Sequence, residues 1–296
     1  MKGAPFTRLC GRLAVLRNPG RADLHTHTTF SDGTHTPGSL VERARKAGLA
    51  AVAVTDHDTT AGVGPARAAA GATLEVIAGV EITAEFRGAE VHLLGYFVRP
   101  DDAALAGALA EVRAARRVRL IEMARRLSGL GPNVEADVAA LPETASVGRR
   151  HLARLLMDRG HARSLHGAFT GWLARPELAG VPKRRVPAAA AIALVRGAGG
   201  ATSWAHPPAD TDLRTLEELR GLGLAAVECA YPWPSRAHET RLRQLARAAG
   251  LAVTGGSDSH DPGPPARAVG ARTVTLEELA RIRELTAVPR TLTSGV

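Results

Sequence analysis

The chain has 296 residues, 45% of them hydrophobic and 23% charged, which suits one large or two small globular domains and excludes bulk disorder. The 38 Lys+Arg against 29 Asp+Glu leave a formal net charge of +9, a field that favours anionic ligands. No apolar run approaches the roughly 18 residues of a membrane-spanning helix, and two cysteines, Cys10 and Cys229, exclude a disulfide scaffold and fit a reducing, cytoplasmic setting.

The lysines are only Lys2, Lys46 and Lys183, so arginine dominates the cations. Alongside the abundant Ala and Gly, this points to biased codon usage more than to a nucleic-acid surface. Residues 1–20 carry Arg8, Arg12 and Arg17 around the short apolar stretch Leu13 to Leu16. They read as an N-terminal extension without the long apolar core of a secretory signal. Short apolar strands are expected at 22–24, 50–55, 76–80, 91–98, 201–205, 224–227 and 251–255. Helices are expected between several of them, at 37–47 and 215–222 for example. This alternation predicts a parallel α/β sheet or barrel.

Residues 101–185 contain no expected strand. Leu105, Leu109, Val112, Leu120, Met123 and Leu127 form one helical stripe, interrupted by Arg116 and ended by Gly129 and Gly131-Pro132. A second helix is expected over 150–158. The segment holds 15 basic and 9 acidic residues, so two thirds of the net charge lies in under a third of the chain. It reads as a helical insertion with a basic face.

Several expected strands end on His, Asp or Glu, and in α/β barrels that edge is where active sites are built. His25-Thr26-His27 follows the first strand, and residues i and i+2 of a strand point the same way. Both imidazoles can therefore face one metal ion. Asp32 follows in a turn, and His57, Glu81 and His206 sit at further strand ends. His92 lies near the start of its strand, and Asp258-Ser259-His260 repeats the i, i+2 spacing. The nine candidate ligands are His25, His27, Asp32, His57, Glu81, His92, His206, Asp258 and His260. Six imidazoles and three carboxylates suffice for more than one divalent ion, and such a donor set suits Mn, Fe or Zn. His35, His161 and His166 are expected at the surface, and Cys229 as a small buried apolar residue.

The order H-T-H, S-D-G-T, T-D-H-D, G-V-E, H, A-H-P and G-S-D-S-H resembles the polymerase-and-histidinol-phosphatase (PHP) family of metal-dependent phosphoesterases, over about residues 22–100 and 186–270. The resemblance implies an α/β fold, a distorted (β/α)7 TIM-like barrel with a helical insertion. The barrel would take 21–100 and 186–296, and the insertion 101–185. It also implies two to three divalent ions. One would be held by His25, His27, Glu81 and Asp258, a second by Glu81, His92 and His206, and a third by Asp32, His57 and His260. Asp56 and Asp58 would join the catalytic residues by orienting His57 or a bound water.

The stretches D-L-H-T-H-T-T-F-S-D-G-T-H-T-P, V-G-R-R-H, V-P-K and A-G-G-A-T-S-W-A-H-P resemble the nucleotide-phosphatase branch. That branch removes the 3′-phosphate of nucleoside 3′,5′-bisphosphates, and some members trim short RNA from the 5′ end. By this resemblance Arg149, which would also assist catalysis, and His151 and Lys183 would grip a substrate phosphate. His238, beside a strand-end loop, is a further substrate-contact candidate. The expected reaction is phosphoester hydrolysis by a metal-activated hydroxide. The expected partner is a small phosphorylated substrate, a nucleotide or short oligonucleotide, with no membrane and no obligate protein partner.

The pattern departs from the family at Arg150, where Pro is common, at Asp261, where Gly is usual, and in the turn Tyr231-Pro232-Trp233-Pro234. Two alternatives compete with a nucleotide phosphatase. One is a phosphatase for histidinol phosphate or another small phosphomonoester. The other is a non-catalytic, metal-bound module that binds nucleic acid or protein.

Overall fold

The structure, a computed structural model, describes residues 20–263 and 265–286. The extension expected over 1–20 lies, apart from Gly20, outside the described residues. Strand β1 is Arg21–Asp23, β2 Ala51–Val54, β3 Glu75–Phe86, β4 Ala89–Tyr96 and β5 Val186–Pro187. Strand β6 is Ala201–Trp204, β7 Ala226–Ala230, β8 Ala252–Gly255 and β9 Val274–Thr275. The sheet runs β8-β7-β6-β4-β3-β2-β1-β9, with β5 beside β3. The Leu24 N–H donates to the Gly255 carbonyl at 3.2 Å and the His27 N–H to the Ser259 carbonyl at 2.9 Å. These bonds carry β1 back to β8, so the sheet is a nearly closed, barrel-shaped α/β structure of seven main strands.

Alternation along the strands explains the two layers. Ala22, Leu24, Ala51, Ala53, Ile77, Leu94, Tyr96, Ala201 and Ala226 cluster inside the barrel. The intervening Val52, Val54, Val76, Ala78 and Val80 pack outward with the helices. Strand β2, Ala-Val-Ala-Val, is buried at every position, as a strand covered on both faces must be. The small alanines let the seven strands close tightly. A Cβ added at Gly256 would stand 2.3 Å from the His25 backbone nitrogen, so the seam between β8 and β1 requires glycine there.

The sheet is mixed, not all parallel as the alternation of elements suggests. Strand β4 runs antiparallel to both β3 and β6. Phe86 pairs with Ala89 across Arg87-Gly88, whose φ angles are +52° and +77°. Two residues at positive φ make a tight turn of the kind that favours a twisted hairpin. The reversal puts the start of β4, with His92, at the same barrel mouth as the ends of the parallel strands.

Helix α1 (Pro37–Lys46) is capped by Thr36, whose side chain accepts from the Ser39 N–H, with Pro37 opening the first turn. Helix α2 is Val63–Ala70, and α3 runs from Ala103 to Ser128. The Asp102 side chain caps α3, and Gly129 ends it. Its first half buries Leu105 and Leu109 against the barrel core. Its second half buries Leu120, Met123 and Leu127 in a separate cluster with Leu152, Leu156 and Leu173. Helices α4 (Glu135–Ala139) and α5 (Arg149–Asp158) follow within that helical region. Then α6 (Ala188–Gly197), α7 (Leu213–Gly221), α8 (Arg236–Ala248) and α9 (Leu276–Glu284) complete the outer layer. No helix among the described residues is long and apolar enough to cross a membrane.

Candidate metal centre and anion cleft

The strand ends bring all nine candidate ligands into one cluster. His25 and His27 follow β1, and both are fully buried. Their Nε2 atoms lie 3.4 and 3.3 Å from Glu81 Oε2. The same atoms lie 3.4 and 3.2 Å from Asp258 Oδ1. Four ligands at about 2.1 Å from one ion stand about 3.4 Å apart in a tetrahedron, so this spacing is that of a metal shell. Glu81 Oε1 lies 2.8 Å from His92 Nδ1 and 3.2 Å from His206 Nε2. On the other side Asp32 Oδ1 lies 3.2 Å from His260 Nε2 and 3.8 Å from His57 Nε2. His57 Nδ1 lies 3.0 Å from Glu81 Oε2, so this ring stands between Asp32 and Glu81.

The donor atoms themselves support a cation. His25 Nε2, His27 Nε2, Asp32 Oδ1, His57 Nδ1 and Glu81 Oε2 are buried and make no hydrogen bond. Buried polar atoms are seldom left so, and here they converge on one space. Among the described residues, three groups with donor atoms mutually within 4.8 Å can hold an ion: His27, Asp32, His57 and His260; His25, His27 and Glu81; and His57, Glu81 and His92. Backbone strain marks the same place. Asp58, His206 and Asp258 have φ of +49°, +32° and +46°, a region costly for residues with a Cβ.

Charge is concentrated there. Burial favours neutral Glu81 and Asp258, yet the surrounding imidazoles hold both carboxyls well below their usual range. Burial lowers His27, but the Asp258 and Glu81 carboxylates outweigh it and raise the ring to about 10. His92 is raised to about 9 against burial, chiefly by Glu81. His57 goes the other way, well below its usual value, because burial dominates. Protons thus sit where a cation would otherwise balance the carboxylates.

Neighbouring groups hold these rings. Glu228, in the middle of β7, is fully buried. Its Oε1 accepts from His25 Nδ1 at 3.0 Å and its Oε2 from the His206 N–H at 2.7 Å. The His25 proton is thereby placed on Nδ1, which frees Nε2 for a metal. Glu228 directly follows the apolar stretch Leu224 to Val227 in the chain, while its partners come from the turn after β1 and the loop after β6.

Asp56 and Asp58, expected to orient His57 or a bound water, direct their protein hydrogen bonds to groups other than the His57 ring. Asp56 accepts from the Thr28 N–H, Thr28 Oγ1 and Ser31 Oγ, all at 2.6 Å, and fastens the loop after His27. Asp58 accepts from the Thr83 N–H at 3.0 Å and from Arg116 Nε at 2.6 Å. Arg116 is therefore no mere interruption of the α3 stripe but its anchor to the barrel. His35, expected to face solvent, is only 2% exposed, with Nε2 3.2 Å from Ser259 Oγ. The chain between His27 and His35 folds back under the mouth and buries it. His161 and His166 are exposed and Cys229 is buried, as expected.

The cationic residues divide. Arg149 and Lys183 line a shared cleft with Arg119, whose role the sequence did not suggest. Arg149 is exposed and lies over Phe169, its guanidinium carbon 5.2 Å from the ring centre. Lys183 Nζ donates to Glu90 Oε1 at 2.6 Å, and Glu90 Oε1 also lies 3.3 Å from His92 Nε2. The cleft is thus linked to the imidazole cluster through one carboxylate. Burial lowers the Lys183 ammonium, and Glu90 opposes that. His151 is half-buried, and its Nδ1 accepts from the Gly148 N–H at 3.2 Å. His238 is engaged by Tyr231: its Nε2 lies 3.0 Å from the phenol oxygen, which donates to the Pro207 carbonyl at 2.5 Å.

Known proteins match this architecture. The PHP domain family matches residues 23–133. The chain is 34% identical to the 5′-3′ exoribonuclease Rnm of Escherichia coli K12, over 82% of this chain and 86% of that protein. It is 30% identical to the 3′,5′-nucleoside bisphosphate phosphatase of Chromobacterium violaceum, over 84% and 90%. Its fold superposes on a crystal structure of a proposed metal-dependent phosphoesterase from Bifidobacterium adolescentis, with TM-score 0.82 and 33% identity over 90% of this chain and 97% of that one. The family match, together with relatives at 30% identity or more over at least four fifths of both chains, places the chain in the PHP family as a metal-dependent phosphoesterase.

Proposed function

We propose that the chain hydrolyses phosphate monoesters of nucleotides, with nucleoside 3′,5′-bisphosphates as the first candidates and short 5′-phosphorylated RNA as the second. The observation that carries this reading is the cleft of Arg119, Arg149 and Lys183, joined to His92 through Glu90. A substrate with two phosphates can place one at the imidazole cluster and the other in this cleft. The relatives named for a nucleoside bisphosphate and for RNA support the same substrate class.

His25, His27, Asp32, His57, Glu81, His92, His206, Asp258 and His260 would hold two or three divalent ions, with Mn, Fe and Zn all suited to the donors. Bound there, such ions would supply Lewis-acid polarisation of the phosphoryl group and activation of a water. The chain's own part is positioning and charge. Arg149 presents a planar fork to phosphate oxygens, and Arg119 and Lys183 add positive charge beside it. Glu90 restrains Lys183 and His92 together, which fixes the distance between cleft and cluster. Glu81, buried among five imidazoles, stays ionised at working pH. The helical region 101–185 would act as a unit that carries this cleft against the barrel. A cytoplasmic location belongs to the same reading, supported by Cys229, a free and buried thiol.

The test is phosphate release with Mn²⁺ from adenosine 3′,5′-bisphosphate, a short 5′-phosphorylated RNA and histidinol phosphate, each beside His27→Ala and Asp258→Ala. The expected result is preferential release from the bisphosphate or the RNA, lost in both variants while circular dichroism still shows a folded protein. Turnover of histidinol phosphate alone would keep the chemistry and overturn the substrate.

A further inference from the structure

The turn Tyr231-Pro232-Trp233-Pro234 has no part in the centre described above, yet it stands at its rim. Trp233 is 51% exposed, and the other large hydrophobics exposed among the described residues are aliphatic. An indole left open to water forgoes a large burial gain, and such rings mark binding surfaces more than folding needs. Its position is specific. The ring centre lies 5.9 Å from that of His206. The Arg267 guanidinium carbon lies 4.3 Å from the ring centre, over its face. Arg267 Nη1 is in turn 3.9 Å from Asp258 Oδ2.

The ring is also held still. Pro232 and Pro234 on either side restrict the backbone. Tyr231 packs edge-on against Trp233 at 79°, with ring centres 5.9 Å apart. Tyr231 is itself fixed by its hydrogen bond to the Pro207 carbonyl. Arg267 supports the indole from one face, while about half of the side chain remains open. A rigid, half-open aromatic surface beside a phosphoester centre suits a flat, apolar group one sugar away from the phosphate. Bases stack on such surfaces with little regard to sequence, because every base has a π-face.

We propose that Trp233, backed by Arg267, is the platform on which the nucleobase of the substrate stacks, and that it sets the preference for nucleotides over base-free phosphate esters. This rests on the nucleotide reading of the same centre and deepens it. The test compares adenosine 3′,5′-bisphosphate with 1-deoxyribose 3,5-bisphosphate, which lacks the base, using the full chain loaded with Mn²⁺. Wild type should prefer the nucleotide in kcat/KM. Trp233→Ala should reduce that preference roughly tenfold, mainly through KM, and Trp233→Phe should keep most of it. An unchanged preference in Trp233→Ala, or an equal loss on both substrates, would overturn the proposal.

Indole fluorescence separates this failure from a failure of the nucleotide reading. If wild type hydrolyses neither compound, the nucleotide-phosphatase reading falls. The platform then stands only if adenosine 3′,5′-bisphosphate quenches wild type and not Trp233→Phe, which keeps Trp172 and Trp204 as background. Equal quenching in both, or none in either, would overturn it.

Discussion

At the scale of single residues, the centre depends on atoms that touch no substrate. Glu228 holds the His25 ring by Nδ1 and the His206 backbone by its N–H. A carboxylate behind a ligating imidazole fixes its tautomer and raises its basicity, and losing such a partner commonly weakens metal binding by about 10–100-fold. Glu228→Ala should fall in that range for Mn²⁺ in a competition titration. Glu228→Gln, whose amide oxygen can still accept from Nδ1–H, should lose less. Equal affinity in wild type and Glu228→Ala would show that packing alone orients His25. The nine candidate ligands were legible in the chain because H-x-H and D-x-H put two donors on one side of one strand. The partners of Glu228 and the cleft around Arg119 were not, since they arrive from distant segments. His35 was misjudged for the same reason: polarity of its own turn says nothing about what folds over it.

Elements carry the second level of organisation, and α5 shows it. Arg150 and Arg154, one turn apart on α5, both pair with Asp261 in the loop after His260. Arg154 Nη1 also donates to the Asp32 carbonyl at 2.6 Å. Thr34 Oγ1 donates to Asp261 Oδ1 at 3.1 Å. Two departures from the family pattern, Arg150 and Asp261, are thus partners of one another. They clasp the helical region to the loops that carry Asp32 and His260. Burial alone would raise the Asp261 carboxyl, but Arg150 and Arg154 hold it below 3.8. A depressed carboxyl stabilises the folded state fully above the unfolded pKa and less as pH falls below it. Asp261→Asn should therefore cost about 1–2 kcal/mol in urea unfolding at pH 7, the range for a charge-assisted pair that is partly buried. The gap from wild type should narrow as pH drops below about 4. A gap independent of pH would mean that the clasp is not ionic.

On the scale of the whole molecule, the mouth of the barrel gathers negative carboxylates and unpaired imidazole nitrogens into one volume. Anything that binds only the folded state stabilises it by mass action, about 2.7 kcal/mol at a hundredfold excess over Kd. Chelation should lower Tm by roughly 5 °C or more, and added Mn²⁺ should restore it, because for a chain of this size 1 kcal/mol moves Tm by about 2–4 °C. A Tm indifferent to both treatments would sink the metal centre as a feature of the folded protein. The fall should be shallower at pH 6 than at pH 8 when metal is limiting, because the ion is then bound less tightly and stabilises the fold less. Protons favoured on His27 and His92, raised to about 10 and 9, compete with metal more strongly in acid.

What the sequence determined by itself was local: strands that end in candidate ligands, a helical stripe from Leu105 to Leu127, and the i, i+2 pairs His25/His27 and Asp258/His260. Such features follow from the periods of 2 and 3.6 residues, which need no knowledge of distant chain. The tertiary structure alone decided that β4 runs backward, so that His92 meets Glu81 at 2.8 Å. It also decided that Arg116 ties α3 to Asp58, that Asp261 finds Arg150, and that Trp233 opens beside His206. Each of those is a meeting of segments far apart in the chain. Whether two such segments touch is set by how the sheet closes and which helices cover it, and no local pattern encodes that closure.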